Sequence, residues 1–167
     1  DTPGYFDFVG EVEEAVSAAG AAIIVVNGKS GIEVGTIKAW ELCEKYNIPR
    51  FIYVSNMDVD NASFRQVVED MTEMFGKKMA PFNLPIRENE KFVGYVNVIA
   101  ESGNRWQGKD VVPCEVPEYN KANLQICRDT LLEAVAETSE EFMERYFGGE
   151  TFSEAEIRAA LRTNVCD

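Results

Sequence analysis

Ala21 to Val26 is apolar at every position and rich in β-branched residues, and Arg50 to Val54 is a second mainly apolar run. Unbroken runs of this kind suit strands buried on both faces of a parallel sheet. Between them the period changes. Ile37, Trp40 and Cys43 recur at helical spacing from Val34 to Tyr46, and Asn47-Ile48-Pro49 stops that helix before the second run. A right-handed βαβ unit is therefore predicted. Beyond it, Phe64, Val67, Val68, Met71, Met74 and Phe75 form one apolar stripe, predicted to begin at a cap on Asp60 or Asn61 and to stop at Gly76.

From Lys77 the pattern becomes alternating. Pro81–Ile86 and Phe92–Val98 predict paired antiparallel strands, followed by a polar stretch from Gly103 to Asp110. Pro117 marks a helix start, with Leu124, Cys127, Leu131 and Val135 as its stripe. Thr138 with Glu141 offers a capping box for a further helix closed by Gly148-Gly149. Ser153 with Glu156 offers another for a last helix through Arg162. The expected organisation is a parallel α/β part over 1–76, an α+β insert over 77–150, and a helix over 151–167 that returns to the first part.

Composition narrows the function classes. The 167 residues are 46% hydrophobic, enough for one core or one core plus a small insert. The longest apolar run falls far short of the roughly 20 residues of a membrane helix, so no membrane association is expected. A net charge of −13 argues against direct nucleic-acid binding, which depends on clustered Lys and Arg. With no histidine and no CxxC pair, mixed Cys/His zinc sites are excluded, and Cys43, Cys114, Cys127 and Cys166 read as reduced structural thiols of a cytoplasmic protein. Glu11, Glu13 and Glu14 read as one solvated helix face, and Glu137, Glu140, Glu141 and Glu144 as another; Met57, Met71, Met74 and Met79 read as core filler. The chain opens at Asp1 inside a motif and ends at Cys166-Asp167, which is the expectation for an internal piece of a longer protein.

Asp1-Thr-Pro-Gly4 fits the D-x-x-G pattern of GTPases, in which the Asp reaches Mg²⁺ through a water and the Gly amide bonds the γ-phosphate. Alone, four residues with two fixed positions also describe a simple turn. Gly28-Lys29-Ser30 has the tail of a phosphate-binding loop, but G-x-x-x-x-G-K-[ST] requires Gly where Ile23 stands in mid-strand, so Lys29 reads as a solvated loop residue.

Longer stretches carry a family likeness. Asp1 to Trp40 and Asn61-Ala-Ser-Phe64 resemble the second-switch region and following βα unit of the elongation factor G family. Leu84-Pro-Ile86 with Phe92-Val-Gly94 looks like the start of that family's insert. Ala134 to Ser139, Met143 to Tyr146 and Glu156 to Arg162 look like its end. The resemblance implies a partial parallel sheet of the P-loop GTPase type (second switch to guanine-reading motif, 1–76) with the α+β insert. The phosphate-binding loop, the first switch and the last guanine-contacting loop lie outside the matched stretch.

By the same resemblance the guanine-reading N-K-x-D motif falls at Ser55-Asn56-Met57-Asp58. Asp58 is in place, and its carboxylate can accept from guanine N1 and N2, donors that adenine does not present in that arrangement. The other reading of Asp58 is a turn or cap residue. Ser55 replaces the family's Asn, and Asn56 the Lys whose stem covers the base. Tyr5 stands where the family usually carries a histidine that orients the attacking water; a phenol with pKa near 10 stays neutral at cellular pH and offers only a hydroxyl. Packing against the helix of Val9 and Val12 is the alternative role for Tyr5. An aromatic at this position resembles a divergent branch of elongation factor G-like proteins.

The implied function is that of a fragment of a ribosome-dependent GTPase of translation elongation. GTP or GDP and Mg²⁺ would be bound by the full-length protein and none by the fragment. The alternative is a ribosome-associated paralogue that binds GTP and hydrolyses it slowly or not at all, acting as a binding module. The implied partners are the ribosome and its stalk protein, the latter through the acidic insert.

Overall fold

The computed structural model describes residues 2, 7, 9–76, 79–89 and 91–166. After α1 (Val9–Ser17), strands β1 (Ala22–Asn27) and β2 (Arg50–Ser55) pair in parallel around the crossover helix α2 (Val34–Lys45), in register from Ala22↔Arg50 to Asn27↔Ser55. α3 (Phe64–Phe75) completes this part. Ile24 and Val26 of β1 pack with Trp40 and Cys43 of α2 and with Val67 and Met71 of α3. Trp40 stacks on Phe75 at 4.1 Å, and the Arg50 guanidinium covers the indole at 3.8 Å.

The two-strand sheet is not buried on both faces. Ile23 is 70% and Val25 60% exposed, opposite Phe51 and Tyr53 of β2, which are exposed as well. Both helices cover the same face, so alternate side chains of each strand stay in solvent. Met74 departs from core filler for a similar reason, lying on the outer side of α3 at 53% exposure, whereas Met57 and Met71 are buried.

The α3 cap is Ser63, whose hydroxyl accepts from the Gln66 amide, and not Asp60 or Asn61. Asn61 adopts a left-handed φ of 64° and Ala62 is buried, so the chain finishes a turn before the helix begins. Gly76, with φ of 62°, ends α3 in the left-handed conformation that glycine adopts without a Cβ clash.

The antiparallel sheet runs in the order β3 (Asn83–Glu88), β4 (Lys91–Asn97), β5 (Ser102–Gln107) and β6 (Asp110–Cys114). The polar stretch from Gly103 to Asp110 is therefore mostly strand. Its pattern hid this because only Gly103 of β5 is buried. Against the inner face, α4 (Glu118–Ala136) and α6 (Glu154–Cys166), with Phe152 just before α6, set Leu131, Val135, Phe152, Ile157 and Ala160 beside Leu84, Ile86, Val96 and Val98. The buried Asn120 of α4 donates to the Pro85 carbonyl at 3.1 Å.

α5 (Glu140–Phe147) is capped by Ser139, which accepts from the Phe142 amide, while Thr138 donates back to the Val135 carbonyl. The Thr138–Glu141 box is thereby replaced, because Thr138 is spent on closing α4. The Ser153–Glu156 box forms in both directions, from the Ser153 amide to the Glu156 carboxylate and from the Glu156 amide to the Ser153 hydroxyl. Among the described residues no helix is long and apolar enough to cross a membrane.

Candidate functional site

In an open α/β sheet, ligands gather beyond the carboxyl ends of parallel strands. β1 and β2 end side by side, Asn27 facing Ser55, and two tight turns follow. In the first, the Asn27 side chain accepts from the Lys29 and Ser30 amides at 2.9 and 3.3 Å, and the Gly31 amide reaches the Asn27 carbonyl. Lys29 stands exposed on this turn.

The second turn carries Asn56 and Asp58. Three bonds tie it to the first: the Gly28 amide donates to the Ser55 carbonyl at 2.8 Å, the Ser63 amide donates to the Gly28 carbonyl at 2.8 Å, and the Ser55 hydroxyl donates to the Val26 carbonyl at 3.3 Å. Asn56 takes a left-handed φ of 55°, which Asn tolerates better than most residues. Met57 turns inward and is buried, leaving Asp58 exposed with no hydrogen bond or ion pair among the described residues. A carboxylate so placed has both oxygens available to a pair of N–H donors.

Asp1, Gly4 and Tyr5 lie outside the described residues. Of the six positions singled out in the sequence, the structure brings Ser55, Asn56 and Asp58 into one turn. It adds Asn27 and Gly28, whose Asn-Gly dipeptide at a strand end was a readable turn signal. Among the described residues no group of three or more Asp, Glu, Cys or His side chains could hold a metal ion.

A separate cleft of about 830 Å³ opens between β2, α3 and the antiparallel sheet, walled by Phe51, Tyr53, Met71, Phe82, Tyr95 and Trp106. Arg50, the charged residue of this wall among those described, is paired with Glu44 and stacked on Trp40. That leaves little to recognise a phosphate, and the polar turns are the better ligand site.

At the end of α4 and along α5, Glu137, Glu140, Glu141 and Glu144 are exposed and unpaired among the described residues, while Glu133 is half-buried. Met143 and the 80% exposed Phe147 lie with Glu140 and Glu144 on one face of α5, a mixed acidic and apolar strip that helical spacing could have shown. Arg145 turns the other way, pairing with Glu150 and Glu156. Burial pushes the thiols of Cys43 and Cys127 above their ordinary value, consistent with structural roles.

Comparison with known proteins places this arrangement. The model of the elongation factor Tu GTP binding domain matches residues 1–151. This chain belongs to that family. Within the elongation factor Tu GTP-binding domain family, elongation factor G of Neorickettsia sennetsu is 36% identical over 169 aligned residues, covering 99% of this chain and 24% of that protein. The crystal structure of ttk003000868 from Thermus thermophilus superposes with a TM-score of 0.88 at 33% identity, over 99% of this chain and 25% of that one. The chain thus spans about a quarter of the length of the relatives it matches. Its mixed architecture, a parallel sheet beside an antiparallel one, is that of a translational GTPase fragment.

Proposed function

We propose that this chain is the guanine-reading and partner-docking part of a ribosome-dependent GTPase of translation elongation, of the elongation factor G type, working in the cytoplasm. The observation that carries the reading is the free Asp58 carboxylate in the turn after β2, held in place by the Gly28 and Ser55 bonds. It accepts from guanine N1 and N2. Asn56 occupies the position of the family's base-covering lysine with a shorter side chain, and the Ser55 hydroxyl, already donating to Val26, serves to hold the two strand ends together.

In the full-length protein Asp1 would help hold Mg²⁺ and Gly4 the nucleotide phosphates, and Tyr5 would take the place of the family's water-orienting histidine; the Mg²⁺ would supply neutralisation of phosphate charge. The 167 residues contain no G-x-x-x-x-G-K-[ST], so the isolated chain binds nucleotide negligibly. The exposed strip of α5 docks a basic surface of the ribosomal stalk protein.

Calorimetry on the full-length protein with Mg²⁺ tests this: GDP and GTP bind and ADP does not, and ribosomes accelerate phosphate release. Equal affinity for guanine and adenine nucleotides would overturn the assignment of Asp58.

A further inference from the structure

α1 begins close behind D-x-x-G and leads into β1, yet none of its residues is buried. Its attachments among the described residues are few. Val16 packs against the core that β1, α2 and α3 form, and the Glu13 carboxylate reaches across to the end of α2. One oxygen, Oε1 of Glu13, accepts from two donors: the Lys45 ammonium and, at 2.7 Å, the Tyr46 hydroxyl.

Both donors stand at a fixed point. Lys45 is the last residue of α2 and Tyr46 its C-cap, with the Tyr46 amide bonded to the Leu42 carbonyl at 3.1 Å. Two donors converging on one carboxylate oxygen fix the direction as well as the distance of Glu13. The contact is nonetheless wet, Lys45 being 59% and Glu13 36% exposed, so it exchanges with water at little cost. A contact that is directional but easily broken suits an element that must move between two positions. Glu13 therefore does not belong to the merely solvated face that Glu11 and Glu14 form.

We propose that Glu13, Tyr46 and Lys45 form a latch that sets the position of the helix following D-x-x-G. Glu13 and Tyr46 are thereby positioning residues for the GTP-dependent state of the full-length protein. The latch itself stands on the geometry alone, and its consequence for nucleotide rests on the function proposed above. Asp1 and Gly4 are joined to α1 through only a few residues of sequence, so releasing the helix from α2 would disturb the phosphate-holding role proposed for them above. The preference for GTP over GDP falls as a result.

Hydrogen exchange on this chain tests the latch. With Glu13→Gln or Tyr46→Phe, amides of residues 9–17 exchange about two- to fivefold faster while those of α4 and α6 keep their rates. The double exchange Glu13→Lys with Lys45→Glu restores protection. Unchanged exchange in α1, or loss of protection throughout the chain, overturns the latch. The full-length protein then tests its role: both single variants lower the ratio of GTP to GDP affinity about threefold, and the charge swap recovers it. A freed α1 with an unaltered ratio overturns the positioning role. Full-length protein that binds no guanine nucleotide even unsubstituted refutes the proposed function and leaves the exchange result standing.

Discussion

Gly28 lies against Met57 so closely that a Cβ built on it would fall 2.7 Å from the methionine sulfur, and 2.9 Å from the Ser55 carbonyl oxygen. The thioether can swing aside, but the carbonyl is backbone and accepts the Gly28 amide. Gly28→Ala is expected to destabilise the chain by about 1–3 kcal/mol, seen as a lower urea midpoint at unchanged slope. Gly35→Ala, where a Cβ meets nothing within 4 Å in α2, is expected to leave stability unchanged or raise it by roughly 0.5–1 kcal/mol.

If Asp58 reads guanine as proposed, Asp58→Ala removes the acceptor for two guanine donors at once. In the full-length protein GDP affinity should fall by about 100-fold or more, since each unpaired donor costs roughly 1–3 kcal/mol. Stability should hardly change, because Asp58 is exposed and unpaired among the described residues. A loss of affinity below threefold would remove Asp58 from the base site.

Restoring the family's guanine-reading residues carries a structural penalty that the sequence did not reveal. Ser55→Asn with Asn56→Lys should tighten GDP binding in the full-length protein, yet lysine at the left-handed Asn56 position costs about 1 kcal/mol of stability. A tighter complex with a lower melting temperature is the expected pair of results. No gain in affinity would mean that Asn56 already fills the role.

Arg145 joins α5 to α6 by pairing with Glu156 at 2.8 Å while lying over the rings of Phe142 and Phe152. Its hydrogen bond, with those of the Ser153 amide and hydroxyl, brings the Glu156 carboxyl from an ordinary 4.5 to about 2. A folded-state value below the unfolded one means stability that is present above pH 4.5 and drains away as pH falls toward 2. Glu156→Gln should flatten that part of the melting-temperature profile between pH 5 and 2 relative to the parent chain. An identical slope would show that other carboxylates govern acid unfolding.

Changing Glu137, Glu141 and Glu144 together to Gln should slow association with the stalk protein's C-terminal domain and blunt its salt dependence, since exposed charges act over about 8–10 Å. Phe147→Ala should instead raise the dissociation rate, as an apolar anchor would. Binding kinetics at low and high salt separate the two effects. Association unaffected by the three charge changes would point to solubility as their role.

Tyr5→His in the full-length protein should raise ribosome-stimulated turnover several-fold if positioning of the attacking water limits the rate. An unchanged rate with nucleotide bound would show that the phenol suffices.

The local pattern was legible wherever one residue's neighbours along the chain decided its state. β1 and β2 came from unbroken apolar runs, α2 and α3 from helical period, and the Ser153–Glu156 box and Gly76 stop from residues a few positions apart. β5 and β6 were not legible, because β5 buries one glycine and β6 buries no residue, so neither shows apolar alternation; pairing with β4 makes β5 a strand, and β5 in turn pairs β6. The cap at Ser63 was missed because Asp60 and Asn61 offer the same chemistry, and only the left-handed turn at Asn61 settles which residue faces the helix.

For the site, sequence placed Asp58 at a strand end and marked Ser55 and Asn56 as departures from the family's motif. It could not show that Ser55 bonds to Val26 across the sheet or that Gly28 closes on Met57. By itself, then, the sequence determined the βαβ unit, the alternation of β3 and β4, the acidic balance and the family. Only the tertiary structure decided which side chains of β1 stay in solvent, what Glu13 touches 32 residues away at Lys45, and which residues face outward from α5. The reason is that periodicity records how a segment repeats, whereas a contact between distant residues depends on how packed elements are set against each other.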